Sequence, residues 1–317
     1  KTLNSKRSLF SIFMLRNFIK KEIKENLDKK IIIISNQNFA NVITMISLNN
    51  IKSIKKILIE RNHLDELKFY KSTLDFIKKK VILLLIKIYY SKSDAVIGIS
   101  KKLSLDLQEF INSKVITIYN PSLEDKIIRN NDVVKFKFEK KRKLILNVGF
   151  LEKQKDQITI LKAINKLKNI YSNFTLILVG SGSEYKNLRK YIERNNLQKF
   201  TRIYRNIKNP NLFYKKADLF ILSSIYEGLG NVLVEAIKFK CPVITSSCNS
   251  GPNEIIKNGK YGDFFTPGDY ESLAKKILQH FKNPFRLKNK LKIPTNHLAK
   301  FSLKKNIKEF NNLFSKI

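Results

Sequence analysis

"FTLILVGSGSEYKNLRKYIERNN" runs from Phe174 to Asn196, and the junction inside it decides how the chain folds. An apolar run ends at a glycine turn, and a polar stretch of helical character follows at once. A strand that passes through a short turn into a helix is half of a βαβ unit, and such units build parallel sheets flanked by helices. The same grammar extends in both directions. "KLILNVGF" (Lys143–Phe150) reads as a strand, and "DQITILKAINKLKNI" (Asp156–Ile170) as a helix opened by an acidic residue, which suits the helix dipole. "FTRIYR", "ADLFILSS" and "CPVITSS" supply three more strands. A first series precedes these: "KIIIIS" (Lys30–Ser35), "KKILIE" (Lys55–Glu60), "DAVIGIS" (Asp94–Ser100) and "KVITIYNP" (Lys114–Pro121).

Two consecutive doubly wound α/β domains follow from this alternation, with ligands expected in the crevice beyond the carboxyl ends of the strands and in the cleft between the domains. The charged stretch "NDVVKFKFEKKRK" (Asn131–Lys143) lacks an apolar period and marks the boundary. The expected layout is a first Rossmann-like domain over 1–135, a second Rossmann-like domain over 136–300, and a C-terminal helix over 301–317 that packs back toward the first.

Composition narrows the classes. Hydrophobic residues make up 43% of the 317 and charged residues 28%, a globular balance. Lys and Arg number 62 against 26 Asp and Glu, a formal charge of +36 that favours polyanionic partners. Abundant Lys, Ile and Asn, with no Trp, also fit general lysine drift over the surface. Specific nucleic-acid binding would need a basic groove with stacking aromatics, whereas the Tyr and Phe here sit within strand and helix patterns. Two cysteines, Cys241 and Cys248, imply no disulfide framework and fit a reducing cytoplasm. "VILLLIKIYY" (Val81–Tyr90) is half a membrane span and carries Lys87. Leu74, Ile77, Val81, Leu84, Leu85 and Ile88 recur at helical spacing, so a helix facing the core is expected. The basic "KFYKSTLDFIKKK" (Lys68–Lys80) has two readings, a solvated face or contact with an anionic membrane surface.

Three strand ends in the second half carry unusual residues. Gly149 ends one strand, with Lys155 just before the next helix. Gly180 and Gly182 form the turn of the opening stretch. "SSIYEGLGNVLVEAIKF" (Ser223–Phe239) holds Glu227 and Glu235 around Gly228, Leu229, Gly230 and Asn231. In a parallel sheet all three ends lie on one rim, where glycine-turn amides, helix starts and a lysine together form a phosphate cradle. The spacing G-x-G-x-x-G is absent, which argues against a nicotinamide site. On one continuous helix the two glutamates would stand roughly 80° apart and about 12 Å along the axis. Gly228 and Gly230 disfavour that helix, and Asn231 is the expected N-cap, leaving Glu227 on the loop and Glu235 near the first turn. Glu235 then either accepts hydrogen bonds from a hydroxyl pair or merely favours the positive helix end.

"EGLGNVLVEA" followed by "CPVITSSCNSGPNEIIKNGKYGDFFTPGDYESLAKKI" resembles the donor-domain signature of the GT-B glycosyltransferases of family 4, the retaining E-x7-E enzymes. The likeness runs back through "ADLFILSS", "LILVGSGSEYKNL" and "LILNVGFLEKQKD", and more faintly through "SDAVIGIS" and "VITIYNPS". It implies a sugar transferase that moves a hexosyl or N-acetylhexosaminyl group from a UDP- or GDP-linked donor to a glycan or lipid-linked acceptor in surface polysaccharide or lipopolysaccharide biosynthesis. By that resemblance Glu227 lies near the donor sugar, Glu235 binds the ribose, and Gly228 to Asn231 bring amides to sugar and diphosphate. Lys155 binds the diphosphate, and Gly149, Gly180 and Gly182 line the donor side. Phe150 stands where the family commonly has arginine. The acceptor-domain histidine corresponds to one of Arg61, Asn62 or His63 in "KILIERNHL". Nothing before Lys30 resembles the glycine-rich opening of the family, so an incomplete first domain is expected, and with it either an active enzyme in the whole protein or a catalytically inactive scaffold. No D-x-D motif occurs; metal independence, no cofactor besides the donor, and a place at the inner membrane face are the remaining expectations.

Overall fold

The computed structural model describes residues 8–70, 72–123 and 142–317. These form two compact units, one reaching Tyr119 and including Ile307–Ile317, the other spanning Asn120–Asn306. Most of the charged stretch chosen as a boundary, up to residue 141, lies outside the described residues.

The first unit opens with α1 (Ser8–Glu25) and then alternates β1 (Ile31–Asn36), α2 (Asn38–Leu48), β2 (Ile54–Glu60), α3 (Thr73–Tyr89), β3 (Ala95–Gly98), α4 (Lys101–Ile111) and β4 (Val115–Thr117). All pairings are parallel and the order is β1-β2-β3-β4, a progression without reversal. Both faces of a parallel sheet are covered, so its strands read as continuous apolar runs rather than alternations. Met45, Leu58, Ile86, Tyr90 and Leu107 meet in its core.

One expectation fails here. Helix α3 forms, but Leu74, Ile77, Val81, Leu84 and Ile88 are exposed rather than core-facing. Of the expected set only Leu85 packs against the core, beside Ile82, Leu83 and the fully buried Ile86. The helix is apolar on two opposite faces, and periodicity cannot say which of two apolar faces meets the sheet.

The second unit holds β5 (Lys143–Val148), α5 (Gln157–Leu167), β6 (Phe174–Val179), α6 (Tyr185–Arg194), β7 (Thr201–Tyr204), α7 (Asn211–Lys216), β8 (Leu219–Leu222), α8 (Asn231–Lys238), β9 (Val243–Ser246), α9 (Gly251–Ile255) and β10 (Asp263–Phe265). Helices α10 (Tyr270–Lys282), α11 (Pro284–Lys290) and α12 (Thr295–Ala299) follow, and α13 (Leu303–Phe314) ends the fold. Strand order is β10-β9-β8-β5-β6-β7, parallel throughout. Ile145, Ile164, Leu176, Ile221 and Ile277 lie at the centre of its core. Strand β10 was not anticipated; three residues beside glycines carry too little pattern. Its Asp263 accepts from Lys290 at 2.8 Å and pairs with Arg286, which holds the carboxyl below its ordinary range against the opposing effect of burial.

Candidate active site

The strand order of the second unit fixes where a ligand can sit. From β5 the sheet grows one way through β6 and β7, and the other way through β8, β9 and β10. Loops leaving β5 and β8 therefore turn to opposite faces and open a crevice at their carboxyl ends. That reversal carries Lys155 on the first loop and Glu227 on the second.

The two loops are sewn together. Ile225 N donates to Gln154 O at 2.8 Å, Gln154 Nε2 to Tyr226 O at 2.9 Å, and Ser223 Oγ to Lys155 O at 2.6 Å. Held this way, Lys155 Nζ reaches Glu227 Oε1 at 2.6 Å, and Ser224 Oγ donates to the same oxygen at 2.6 Å. Glu227 is only 5% exposed. A carboxylate so far from water is stable when it is paired and hydrogen-bonded, which this geometry supplies. Cys248 packs close enough for Glu227 to act on it; burial first, then that carboxylate, push its thiol up to about 12, so it stays protonated.

Glu235 has separate company. It sits half-buried on α8, and Tyr214 Oη donates to its Oε2 at 2.9 Å. Tyr214 is fully buried, with its ring stacked on Phe239 at 5.9 Å and 11°. Burial and then Glu235 push the phenol well above its ordinary value, so it remains a donor. Leu233, Val234 and Ile237 point into the core, as the helix pattern requires. The two glutamates are thus held by different partners.

The glycines of these turns have a packing role of their own. A Cβ on Gly180 would stand 1.8 Å from Gly149 O, and one on Gly182 would stand 2.3 Å from Leu151 O. These positions need glycine because the loops after β5 and β6 cross in contact. Their amides are already engaged in part: Gly180 N donates to Tyr204 O at 2.8 Å, and Ser183 N to Glu152 Oε1 at 3.0 Å. Gly230, at φ +85°, is itself the cap of α8. Asn231 is therefore the first helical residue rather than the N-cap, and its Oδ1 accepts from Ser122 Oγ at 2.8 Å. Gly228 O accepts from Ser250 Oγ, and Leu229 is buried, so the loop between the glutamates is pinned from below. Phe150 projects from the end of β5 and is 72% exposed.

In the first unit, the three candidates after β2 diverge. Arg61 Nε donates to Asn36 Oδ1 at 3.0 Å, and Asn62 Nδ2 to Glu66 Oε2 at 3.1 Å. His63 is buried: its Nδ1 accepts from Asp65 N at 3.2 Å, capping a short 3-10 turn, and its Nε2 lies 2.7 Å from Asp106 Oδ2. Nδ1 also lies 2.9 Å from Asp65 Oδ2, so the ring sits between two carboxylates. Beside them the buried Glu60 accepts from Tyr90 Oη and from Asn41 Nδ2 at 3.0 Å, and burial lifts its carboxyl from an ordinary 4.5 to about 7.

Sequence reading missed Tyr214, Ser223 and Ser224. A buried tyrosine within helical reach of a strand looks like packing, and serines at a strand end look like a turn; the pairing appears only when β5 and β8 are set side by side.

Residues 128–296 match the family described as glycosyl transferases group 1. An uncharacterized glycosyltransferase of Methanocaldococcus jannaschii is 31% identical over 247 residues, which is 71% of this chain and 57% of that protein. The Campylobacter jejuni GalNAc-alpha-(1->4)-GalNAc-alpha-(1->3)-diNAcBac-PP-undecaprenol alpha-1,4-N-acetyl-D-galactosaminyltransferase is 28% identical over 204 residues, 64% of this chain and 54% of that protein. Among solved structures, Anabaena HepE in complex with UDP and glucose superposes with a TM-score of 0.75 at 19% identity, over 96% of this chain and 83% of that one. The likeness confirms the fold class, α/β with two parallel-sheet domains of the GT-B kind. The chain spans about half the length of the curated relatives it matches.

Proposed function

Because the chain belongs to the group 1 glycosyl transferases, we propose that it transfers a sugar from a UDP- or GDP-linked donor to a glycan or lipid-linked acceptor, with retention at the anomeric carbon. One observation carries this reading: the Lys155–Glu227 pair, 2.6 Å apart, stands where the strand order reverses. A leaving diphosphate needs positive charge and N–H donors already in place, because charge develops on it as the glycosidic bond breaks. Lys155 provides the charge, and the amides opening α5 and α8 provide the donors. On donor binding Lys155 exchanges its carboxylate partner for phosphate oxygens. Glu227 is then released toward the sugar ring, where positive charge grows. Glu235, fixed by Tyr214, takes the ribose hydroxyls. With Phe150 in the usual arginine place, Lys155 carries more of the diphosphate load. No metal is assigned a role.

The named relatives support the substrate classes. HepE was crystallised with UDP and glucose. The Campylobacter protein's name places its acceptor on a diphospho-undecaprenol lipid. We assign this chain the same classes and a place in surface-glycan assembly at the inner face of the membrane.

The test uses the whole protein, screened against UDP- and GDP-sugars for transfer and donor hydrolysis, with Lys155→Ala alongside. The variant should bind the nucleoside diphosphate roughly thirtyfold more weakly, as loss of a charge-assisted hydrogen bond of about 2 kcal/mol requires. Binding of the nucleoside alone should not change. Equal losses for both would remove Lys155 from the diphosphate. Nucleotide binding without any transfer or hydrolysis would make the chain an inactive donor-binding scaffold.

A further inference from the structure

The exposed face of α3 has no use inside the first unit. Leu74, Ile77, Val81, Leu84 and Ile88 are 66%, 55%, 47%, 58% and 43% exposed. At 100° per residue these five fall within an arc of roughly 80° and form a stripe about 21 Å long, directly opposite the buried Ile86. Lys78, Lys80 and Lys87 are exposed and border the stripe on both sides. The one acid of the helix, Asp75, is turned away from it and lies 3.6 Å from Lys79. At the amino-terminal approach Phe69 and Tyr70 are 47% and 56% exposed.

A contiguous apolar stripe bordered by lysines is the pattern of a helix that lies in a membrane interface. The apolar residues enter the acyl boundary, the lysine stems lie along it, and the ammonium groups reach the phosphates. Aromatic side chains at one end suit headgroup depth. No described helix is long and apolar enough to cross a membrane, so α3 can lie on a bilayer but not span it. A second copy fits less well: an isologous contact through this face would set its lysine borders against each other in a chain of net charge +36. We propose that the exposed face of α3 docks flat on an anionic phospholipid bilayer.

This inference says where the chain works, not what it catalyses, and nucleotide binding separates the two. The chain contains no Trp, so a single Trp is a clean reporter. Leu84→Trp should shift to the blue and be quenched by brominated lipid on mixing with phosphatidylcholine–phosphatidylglycerol vesicles; Phe285→Trp, also on an exposed side chain, should do neither. Ile77→Gln with Leu84→Gln should lower vesicle partitioning on the order of a hundredfold. Lys78→Ala, Lys80→Ala and Lys87→Ala should each lower it about fivefold and flatten its salt dependence. Nucleotide affinity should stay unchanged in all of them. Vesicle binding that depends on the lysines yet ignores the Gln pair would overturn the proposal in favour of diffuse charge attraction. So would a concentration-dependent dimer that the Gln pair dissolves and vesicles do not compete with.

Discussion

Both units set ionisable residues at the carboxyl ends of parallel strands, yet they use them in opposite ways. After β2 the polar groups are spent on one another: Glu60 is held by Tyr90 and Asn41, and His63 by Asp65 and Asp106. After β5 and β8, Lys155 and Glu227 meet across a gap between loops from different strands. The cause is strand order. The first sheet, in the described residues, advances without reversing, so consecutive loops leave in the same sense; the second reverses between β5 and β8. A charged pair spanning a reversal can open to admit a ligand, whereas a carboxyl buried within one strand's own packing serves the fold.

Three substitutions press on that contrast. Glu227→Gln should lower kcat with the identified donor by on the order of a hundredfold or more without weakening nucleotide affinity, since it removes charge from the reacting face and also the carboxylate that competes with the diphosphate for Lys155. Turnover that survives would place Glu227 with Glu60, as a structural carboxyl. Glu60→Gln should act on stability alone. Its carboxyl is protonated in folded and unfolded chains below 4.5, so burial then carries no charge penalty. As pH rises through about 7 the folded chain must bury the charge or keep a proton the unfolded chain has released, and stability falls. The loss is about 3 kcal/mol across that window, and urea melts on either side of it should show the dependence in wild type and not in Glu60→Gln. Smallest is Tyr214→Phe. Removing the phenol hydroxyl should weaken nucleoside diphosphate binding about fivefold, or about 1 kcal/mol, and leave a 2′,3′-dideoxy analogue unaffected. If Glu235→Ala abolishes the preference for ribose and Tyr214→Phe does not, the tyrosine only packs; if neither does, Glu235 is not on the ribose.

The sequence made the alternation of strands and helices readable because parallel strands buried on both faces leave apolar runs that turns punctuate. Among the described residues nine of the ten strands coincide with such runs, and β10 escaped because Asp263–Phe265 is too short to show one. The rim residues were found through the family likeness together with convergence. Their partners were not, because Ser224 with Glu227 and Tyr214 with Glu235 are joined by packing geometry rather than spacing. Helix α3 misled for the converse reason: two apolar faces on one helix give the same periodic signal, and only the sheet chooses between them.

The ties between the loop after β5 and the loop after β8 constrain how this site can diverge. Gln154 serves both as acceptor from Ile225 and as donor to Tyr226, so a change in either loop alters the register of the other. Substitutions on the two loops should therefore be non-additive. A new donor preference would have to arrive as a matched change on both loops, while Phe150, exposed and bound to neither tie, is left free to vary alone.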